Sequence, residues 1–222
     1  MLTYVFGIAI VLLSSTDCEA SDDHTVNVSL PRYVEVGKNV TIHCDYSPDN
    51  NIYSVKWYMG QYEIFRWIPN DVPHKQVFPL NGVSVDINNS SGNNLVLNNL
   101  QTIATGRYIC EVTWEAPLFQ SINRGKLMFV FEKPKGEPVL TVDNDKVSCT
   151  SPPAHPRPSI IWFLNGVQTM GTPPRTKQND RQLKNFFSLF TVGNETSTHD
   201  HANLTCVVQI GDIYRAQKSI IL

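Results

Sequence analysis

The chain has 222 residues, of which 41% are hydrophobic and 17% are charged, and its formal net charge is -2 at pH 7. This composition excludes a largely disordered protein, because enough apolar residues are present to build a core. The near-neutral charge, with no basic run, excludes a general electrostatic attraction to nucleic acid or to an anionic membrane.

The first twenty residues have the pattern of a secretory signal peptide. Leu2 to Leu13 is apolar but too short to cross a bilayer in the mature protein, and a polar stretch follows Ala20. We therefore expect residues 1–20 to be removed, so that the mature chain begins at Ser21 and is secreted. Cys18 leaves with the signal, and an even set of four cysteines remains.

Two sets of residues repeat the order Cys, Trp, Cys, with the tryptophan thirteen positions after the first cysteine: Cys44, Trp57 and Cys110, and then Cys149, Trp162 and Cys206. This order is typical of an immunoglobulin-type β-sandwich, in which the tryptophan packs against a disulfide between strands B and F. Four cysteines allow three pairings. The pairing that keeps each disulfide inside one repeat is Cys44 with Cys110 and Cys149 with Cys206, and we predict two tandem immunoglobulin-like sandwiches in an all-β chain.

The strands of the first repeat can be oriented from its tryptophan and its second cysteine. Because Trp57 must point inward, Lys56 and Tyr58 should face solvent on strand C. Because the second cysteine of the set must also point inward, Ile109 and Glu111 should face solvent on strand F of the same sheet.

The tyrosine-corner position of the fold lies two residues before the second cysteine. Tyr108 occupies it in the first repeat, so we place Tyr108 in the core together with Trp57 and Trp162. Leu204 occupies it in the second repeat, which therefore lacks the corner's hydrogen bond.

The repeats differ in the distance from tryptophan to second cysteine, which is 53 residues in the first and 44 in the second. The longer distance has room for two extra strands, which predicts a variable-type first domain and a shorter, constant- or intermediate-type second domain. The strands expected around and after this insertion are residues 61–67, 83–87, 94–97 and 125–131.

A polar segment with two prolines, residues 133–138, separates the repeats. Linkers between domains have this composition. We expect domains at residues 21–132 and 139–222, joined by a linker that restricts their relative motion. No transmembrane helix is expected after the second domain.

Several motifs of the first repeat, taken in order, closely resemble the beaten path family of neuronal two-immunoglobulin proteins. They are residues 53–58 (YSVKWY), 63–67 (EIFRW), 77–80 (VFPL), 82–86 (GVSVD), and 106–112 (GRYICEV) with 115–120 (EAPLFQ). The resemblance implies a secreted or membrane-tethered recognition protein of axon guidance and neuronal adhesion. It also implies that the first domain binds immunoglobulin-superfamily receptors of the Sidestep family.

Six N-glycosylation sequons are present: Asn27, Asn39, Asn88 and Asn89 in the first repeat, and Asn194 and Asn203 in the second. The four in the first repeat fall on the predicted back sheet or in a turn attached to it. A glycan is bulky, so the front sheet of strands C, F and G is the one left open to a partner.

Aromatic residues are concentrated on the same front sheet and in the loop between strands F and G. Such residues are enriched at interface cores, although some of them can simply pack the sandwich interior. Our predicted partner contacts are Lys56, Tyr58, Phe65, Trp67, Ile109, Glu111, Pro117 and Phe119.

The only cluster of side chains that suggests a metal or catalytic site is His199-Asp200-His201, just before strand F of the second repeat. A metal site would need further ligands, and solvated turn residues are the simpler interpretation. No catalytic motif is present, so we expect no enzyme activity, no cofactor and no small-molecule substrate. The alternative to a neuronal recognition protein is a soluble immune-type or ligand-sequestering binding protein on the same fold.

Overall fold

The computed structural model describes residues 24–47, 50–116, 119–178, 184–193 and 201–222. Several predictions fall outside these ranges: the signal peptide with Cys18, Pro117, Asn194, and His199 with Asp200. Inside them the regular structure is all β except for one 3-10 turn at Thr102–Ala104.

The first half of the chain folds into two facing sheets. Its strands are β1 Thr25–Ser29, β2 Tyr33–Glu35, β3 Val40–Ser47, β4 Ile52–Met59, β5 Tyr62–Trp67, β6 Lys75–Val77, β7 Ser84–Val85, β8 Asn94–Asn98, β9 Gly106–Trp114 and β10 Ser121–Phe131. The back sheet has the strand order β1-β3-β8-β7, and the front sheet has the order β2-β10-β9-β4-β5-β6. Neighbouring strands are antiparallel except for β2 and β10, which are parallel.

The chain changes sheets near its start. β1 pairs with β3 in the back sheet, and after Pro31 the chain crosses over so that β2 pairs with β10 in the front sheet. Proline has no backbone N–H to donate to a ladder, which makes the junction a suitable place for the crossing.

A disulfide between Cys44 and Cys110 joins the two sheets of the first sandwich, as predicted. Trp57 lies directly opposite Cys110 in the β4–β9 pairing and is completely buried. The alternation of buried and exposed residues along β3 follows from the inward Cys44, because side chains alternate between the faces of a strand.

Tyr108 forms the tyrosine corner of the first sandwich. Its hydroxyl donates a hydrogen bond to the carbonyl oxygen of Ala104, 2.9 Å away, in the 3-10 turn that precedes β9. Burial raises the pKa of Tyr108 well above its usual value, so the hydroxyl stays protonated and remains a donor.

Two extra strands, β5 and β6, extend the front sheet beyond β4. This is the variable-type arrangement predicted from the longer tryptophan-to-cysteine spacing. The strand expected at residues 83–87 is shorter than predicted and covers only Ser84–Val85.

The second half of the chain forms a second, smaller sandwich. Its strands are β11 Val139–Asp143, β12 Lys146–Ser151, β13 Ser159–Leu164, β14 Val167–Thr169, β15 Arg175–Gln178, β16 Lys184–Thr191, β17 Asn203–Ile210 and β18 Tyr214–Ile221. One sheet has the order β11-β12-β16-β15 and the other has the order β14-β13-β17-β18. The two sheets are joined by the predicted disulfide between Cys149 and Cys206.

The core of the second sandwich differs from that of the first in its polar contacts. Trp162 is buried beside the disulfide, and its indole nitrogen donates to the hydroxyl of Ser188 at 2.9 Å. Leu204 fills the tyrosine-corner position as a fully buried apolar residue. The turn that follows β13 has Asn165 and Gly166 both at positive φ.

Backbone and side-chain contacts fasten the segment between the sandwiches. Glu132 and His155 exchange two backbone hydrogen bonds of 2.8 and 2.9 Å, which tie the end of β10 to a loop of the second sandwich. Glu137 also pairs with Lys218 on β18 at 3.3 Å.

Candidate partner-binding surface

The solvent-facing side chains of β4, β5, β9 and β10 form one continuous surface, which we call the front face. At its centre Lys56 lies directly opposite Glu111, and Tyr58 lies opposite Ile109. All four side chains are partly exposed, on the side of the sheet that points away from Trp57. The structure therefore places these four predicted contacts together, and their role in binding stays a prediction.

Glu111 is the hub of the polar contacts on the front face. Its Oε1 atom accepts a hydrogen bond from the Tyr58 hydroxyl at 3.3 Å and lies 3.6 Å from the Lys56 ammonium nitrogen. Partial burial, followed by the negative charges of Glu111 and Glu63, raises the pKa of Tyr58 to about 12. The phenol is therefore neutral at physiological pH.

A second ion pair lies next to this hub, on β5. Arg66 donates two hydrogen bonds to the two carboxylate oxygens of Glu63, over 2.7 and 2.9 Å. The side-chain hydrogen bond with Glu63 raises the pKa of Arg66. The guanidinium also lies 5.2 Å from the ring centroid of Phe78, and Arg66 is directly opposite Lys56. Two ordered pairs of opposite charge thus lie side by side on the front face.

On the β10 side of the front face, an apolar side chain, Leu127, lies opposite Arg107 of β9. Leu127 on β10 is 55% exposed. Gly125, its neighbour two residues earlier, has no side chain beside Ile109: a Cβ there would lie 2.8 Å from the Cγ1 atom of Ile109. Gly125 therefore allows the side chains of Ile109 and Arg107 to lie over the neighbouring strand.

One predicted contact, Phe65, is wrong as a surface residue, whereas Trp67 is partly exposed and its role in binding stays a prediction. A β-bulge in the pairing of β4 with β5 places Phe65 opposite Trp57 and Glu63 opposite Tyr58. Phe65 is completely buried, so it belongs to the core of the first sandwich. Trp67 faces the same interior and packs over Gly92, where a Cβ would lie 2.6 Å from the indole.

Sequence reasoning missed the residues that the bulge turns outward. Glu63 and Arg66 occupy the surface where the ring side chains of β5 were expected. Simple alternation cannot reveal this shift, because an inserted residue reverses the faces of all residues beyond it. Leu127 and Gly125 were also missed, since their faces depend on the register of β10 against β9.

The described part of the loop between β9 and β10 contains one exposed aromatic ring. Phe119 is 72% exposed and has a positive φ of 44°. Trp114 ends β9 as a buried residue and contacts His24 ring to ring at 4.4 Å. Pro117 lies outside the described residues.

The described sequons of the first sandwich lie on its other side. Asn27 is on β1 and Asn39 immediately precedes β3, both in the back sheet. Asn88 and Asn89 are in the turn between β7 and β8, and all four asparagines are exposed. In this turn Asp86 accepts hydrogen bonds from the backbone N–H groups of both residues and from the Asn89 side chain.

A metal site finds no support in the described ranges. No group of three or more His, Cys, Asp or Glu side chains there is arranged to hold a metal ion. His201 is at a turn with positive φ, and the other two members of the His-Asp-His cluster lie outside those ranges. Among the described residues, no helix is long and apolar enough to span a membrane.

Comparison with known proteins supports the fold. No protein-family model matches the chain, and no curated protein does. Among solved structures, murine CEACAM1b is similar with a TM-score of 0.57 and 18% identity, over 90% of this chain and 98% of that chain. An amphioxus IgVJ-C2 molecule is similar with a TM-score of 0.53 and 19% identity, over 85% of this chain and 98% of that chain.

A third similar structure is the full ectodomain, Ig1 to Ig3, of mouse nectin-like molecule 4, with a TM-score of 0.50 and 16% identity. The similarity covers 86% of this chain and 65% of that one. At these identities the comparisons establish the fold. Together with the two disulfide-linked sheet pairs, they show that the chain is a tandem of immunoglobulin-like sandwiches, the first of them variable-type.

Proposed function

We propose that the chain is a secreted or cell-surface-associated recognition protein that binds an immunoglobulin-superfamily receptor through its first sandwich. The observation that carries this proposal is the contrast between the two sides of that sandwich. The described sequons lie on the back sheet or in its turns, whereas the front face holds Tyr58, Leu127 and two ordered ion pairs without a sequon.

The chemistry of the front face suits a protein partner. Interfaces are enriched in tyrosine and arginine, and their strongest contacts lie where such side chains are held in place before binding. The hydrogen bonds of Tyr58 with Glu111 and of Arg66 with Glu63 provide that preorganisation. The charges of both signs favour a partner whose surface has a complementary pattern.

The resemblance of the first domain to the beaten path family gives the partner a specific class. We propose a receptor of the Sidestep type and a role in axon guidance and neuronal adhesion. In this proposal residues 21–132 are the binding domain, residues 133–138 are the linker and residues 139–222 are mainly a spacer. The backbone contacts between Glu132 and His155 support a linker with restricted motion.

The experiment that tests this proposal places a glycan on each side of the first sandwich. Glu111→Asn completes a sequon with Val112 and Thr113 at the centre of the front face. Val96→Thr completes a sequon at Asn94, which contacts His43 on the back sheet. Each secreted variant is tested by mass for its added glycan and is then screened for binding against a panel of neuronal cell-surface immunoglobulin receptors.

We expect the wild type and the Val96→Thr variant to bind the same receptor, and the Glu111→Asn variant to be secreted but unable to bind. Loss of binding only in the back-sheet variant would contradict the placement of the site. Failure of the wild type to bind any neuronal receptor, with binding to an immune-type or soluble ligand instead, would favour the alternative function.

A further inference from the structure

Val207 in the second sandwich is a buried residue that does not belong to its core. It is only 1% exposed. Its neighbours Cys206 and Val208 both point into the core cluster, so Val207 points to the opposite, outer side of β17. The side chain of Val207 is therefore already shielded on that side by other residues of the chain.

The residues beside Val207 belong to the adjacent strands. Ile161 lies directly opposite Val207 on β13, and Phe163 lies opposite Thr205 one step along the sheet. On the other side Gln217 of β18 lies opposite Val207. We call the surface formed by Ile161, Phe163 and Val207 the outer apolar strip. Its members are uncharged, in contrast to the paired charges on the front face of the first sandwich.

A sequon begins at one end of this strip. Asn203, the first residue of β17, points to the same side as Thr205 because Leu204 between them is completely buried. The Asn203 backbone is held on both sides: its N–H donates to Asn165 Oδ1 at 2.8 Å, and its carbonyl accepts from the Asn165 N–H at 2.9 Å. The Asn203 side chain is exposed.

The register brings the attachment point within reach of the strip. Phe163 is the diagonal neighbour of Asn203, a separation of about 7–8 Å in an antiparallel pair. Val207 lies four residues along β17, or about 13 Å at the usual rise of a strand. The Phe163 ring is therefore within reach of the first sugar of a glycan on Asn203, and its apolar face can stack against the C–H face of a sugar.

We propose that the N-linked glycan of Asn203 lies along the outer apolar strip and covers its two partly exposed members, Phe163 and Ile161. Glycans at exposed sites are usually solvating and project away from the protein. Here the fixed backbone at the attachment point and the uncharged apolar surface beside it make the glycan a structural part of the second sandwich.

The test uses the full chain secreted from eukaryotic cells, with two sequons removed one at a time. Asn203→Gln removes the glycan in question, and Asn27→Gln removes one from the first sandwich as the matched control. Intact mass and glycopeptide analysis establish the occupancy of each site. Hydrogen exchange then reports the protection of β13 and β17. We expect exchange in these strands to be about tenfold faster in Asn203→Gln, and unchanged in Asn27→Gln.

A double-mutant cycle separates contact with the strip from a general effect of glycosylation. Phe163→Leu, which removes the ring but keeps an apolar side chain, should accelerate exchange in the wild-type background and have little further effect in the Asn203→Gln background. The proposal is overturned by an unoccupied Asn203, by equal protection with and without its glycan, by additive effects of the two substitutions, or by a glycosylated wild type that self-associates through β13 and β17.

Discussion

Trp162 and Ser188 are joined by a hydrogen bond across the interior of the second sandwich, and the serine hydroxyl also donates to the carbonyl oxygen of Thr172 at 2.6 Å. Ser188 is completely buried and Trp162 nearly so. We expect Ser188→Ala to lower the free energy of unfolding by about 1–3 kcal/mol, because it leaves a buried donor and a buried acceptor without their partner. Urea denaturation of the full chain, with hydrogen exchange to assign the affected sandwich, measures this loss.

The first sandwich provides a matched control for that prediction. Ser54 is also buried, but its hydroxyl makes no hydrogen bond with the described residues. We expect Ser54→Ala to leave stability unchanged or to increase it slightly, because no hydrogen bond within the described structure is broken. A loss at Ser54 as large as the loss at Ser188 would show that burial of the hydroxyl, and not its hydrogen bond, determines the effect.

The tyrosine corner gives a second stability prediction. Tyr108→Phe keeps the buried ring and removes only the hydrogen bond to the Ala104 carbonyl. We expect the first sandwich to lose about 1 kcal/mol of unfolding free energy, as for a typical buried hydrogen bond. Unfolding followed by hydrogen exchange should show the loss in β9 and its neighbours, while the second sandwich, with Leu204 at this position, stays unchanged.

Much of the fold could be predicted because a few residues fix the orientation of whole strands. Once Cys44, Cys110 and Trp57 are assigned to one core, alternation determines the outward positions of β4 and β9. The outward positions of Lys56 and Glu111 follow directly, because β4 and β9 pair without a register shift at these residues. The second sandwich follows from the same spacing.

The rest of the candidate surface could not be predicted from alternation alone. The bulge opposite Trp57 reverses the faces of β5, so Phe65 is buried and Glu63 is partly exposed on the front face. Leu127 depends on the register of β10, which is set by the loop that follows β9. The sequence of that loop does not determine how the two strands align.

The turn between β7 and β8 leads to a prediction about acid stability. Hydrogen bonds from the Asn89 side chain and backbone, together with those from Asn98 and Asn88, lower the pKa of Asp86 below its usual 3.8. The carboxylate therefore stabilises the folded state above pH 3.8, and this contribution is lost as the pH falls through the lowered pKa.

We expect Asp86→Ala to be less stable than the wild type at pH 7, with the difference shrinking as the pH is lowered below 3.8. Unfolding curves for both proteins at a series of pH values measure this. A difference that stays constant down to pH 2 would mean that the charge of Asp86 has no part in holding the turn.

The last prediction concerns the contribution of Tyr58 to receptor binding. Its ring is on the front face and its hydroxyl is held by Glu111. If Tyr58 is a central contact, Tyr58→Ala should weaken binding by roughly thirtyfold, or about 2 kcal/mol, because the substitution removes the ring that makes a desolvated contact with the partner. Tyr58→Phe keeps the ring and loses only the contact with Glu111, so its affinity should fall much less.

His43 on the back sheet provides the control, because it faces solvent on the side that carries the sequons and contacts Asn94. Binding of the purified, secreted variants to the receptor identified in the screen, measured by surface plasmon resonance, gives all three affinities. We expect His43→Ala to bind like the wild type. Equal losses for His43→Ala and Tyr58→Ala would place the contact elsewhere on the first sandwich, since the two side chains lie on opposite sheets.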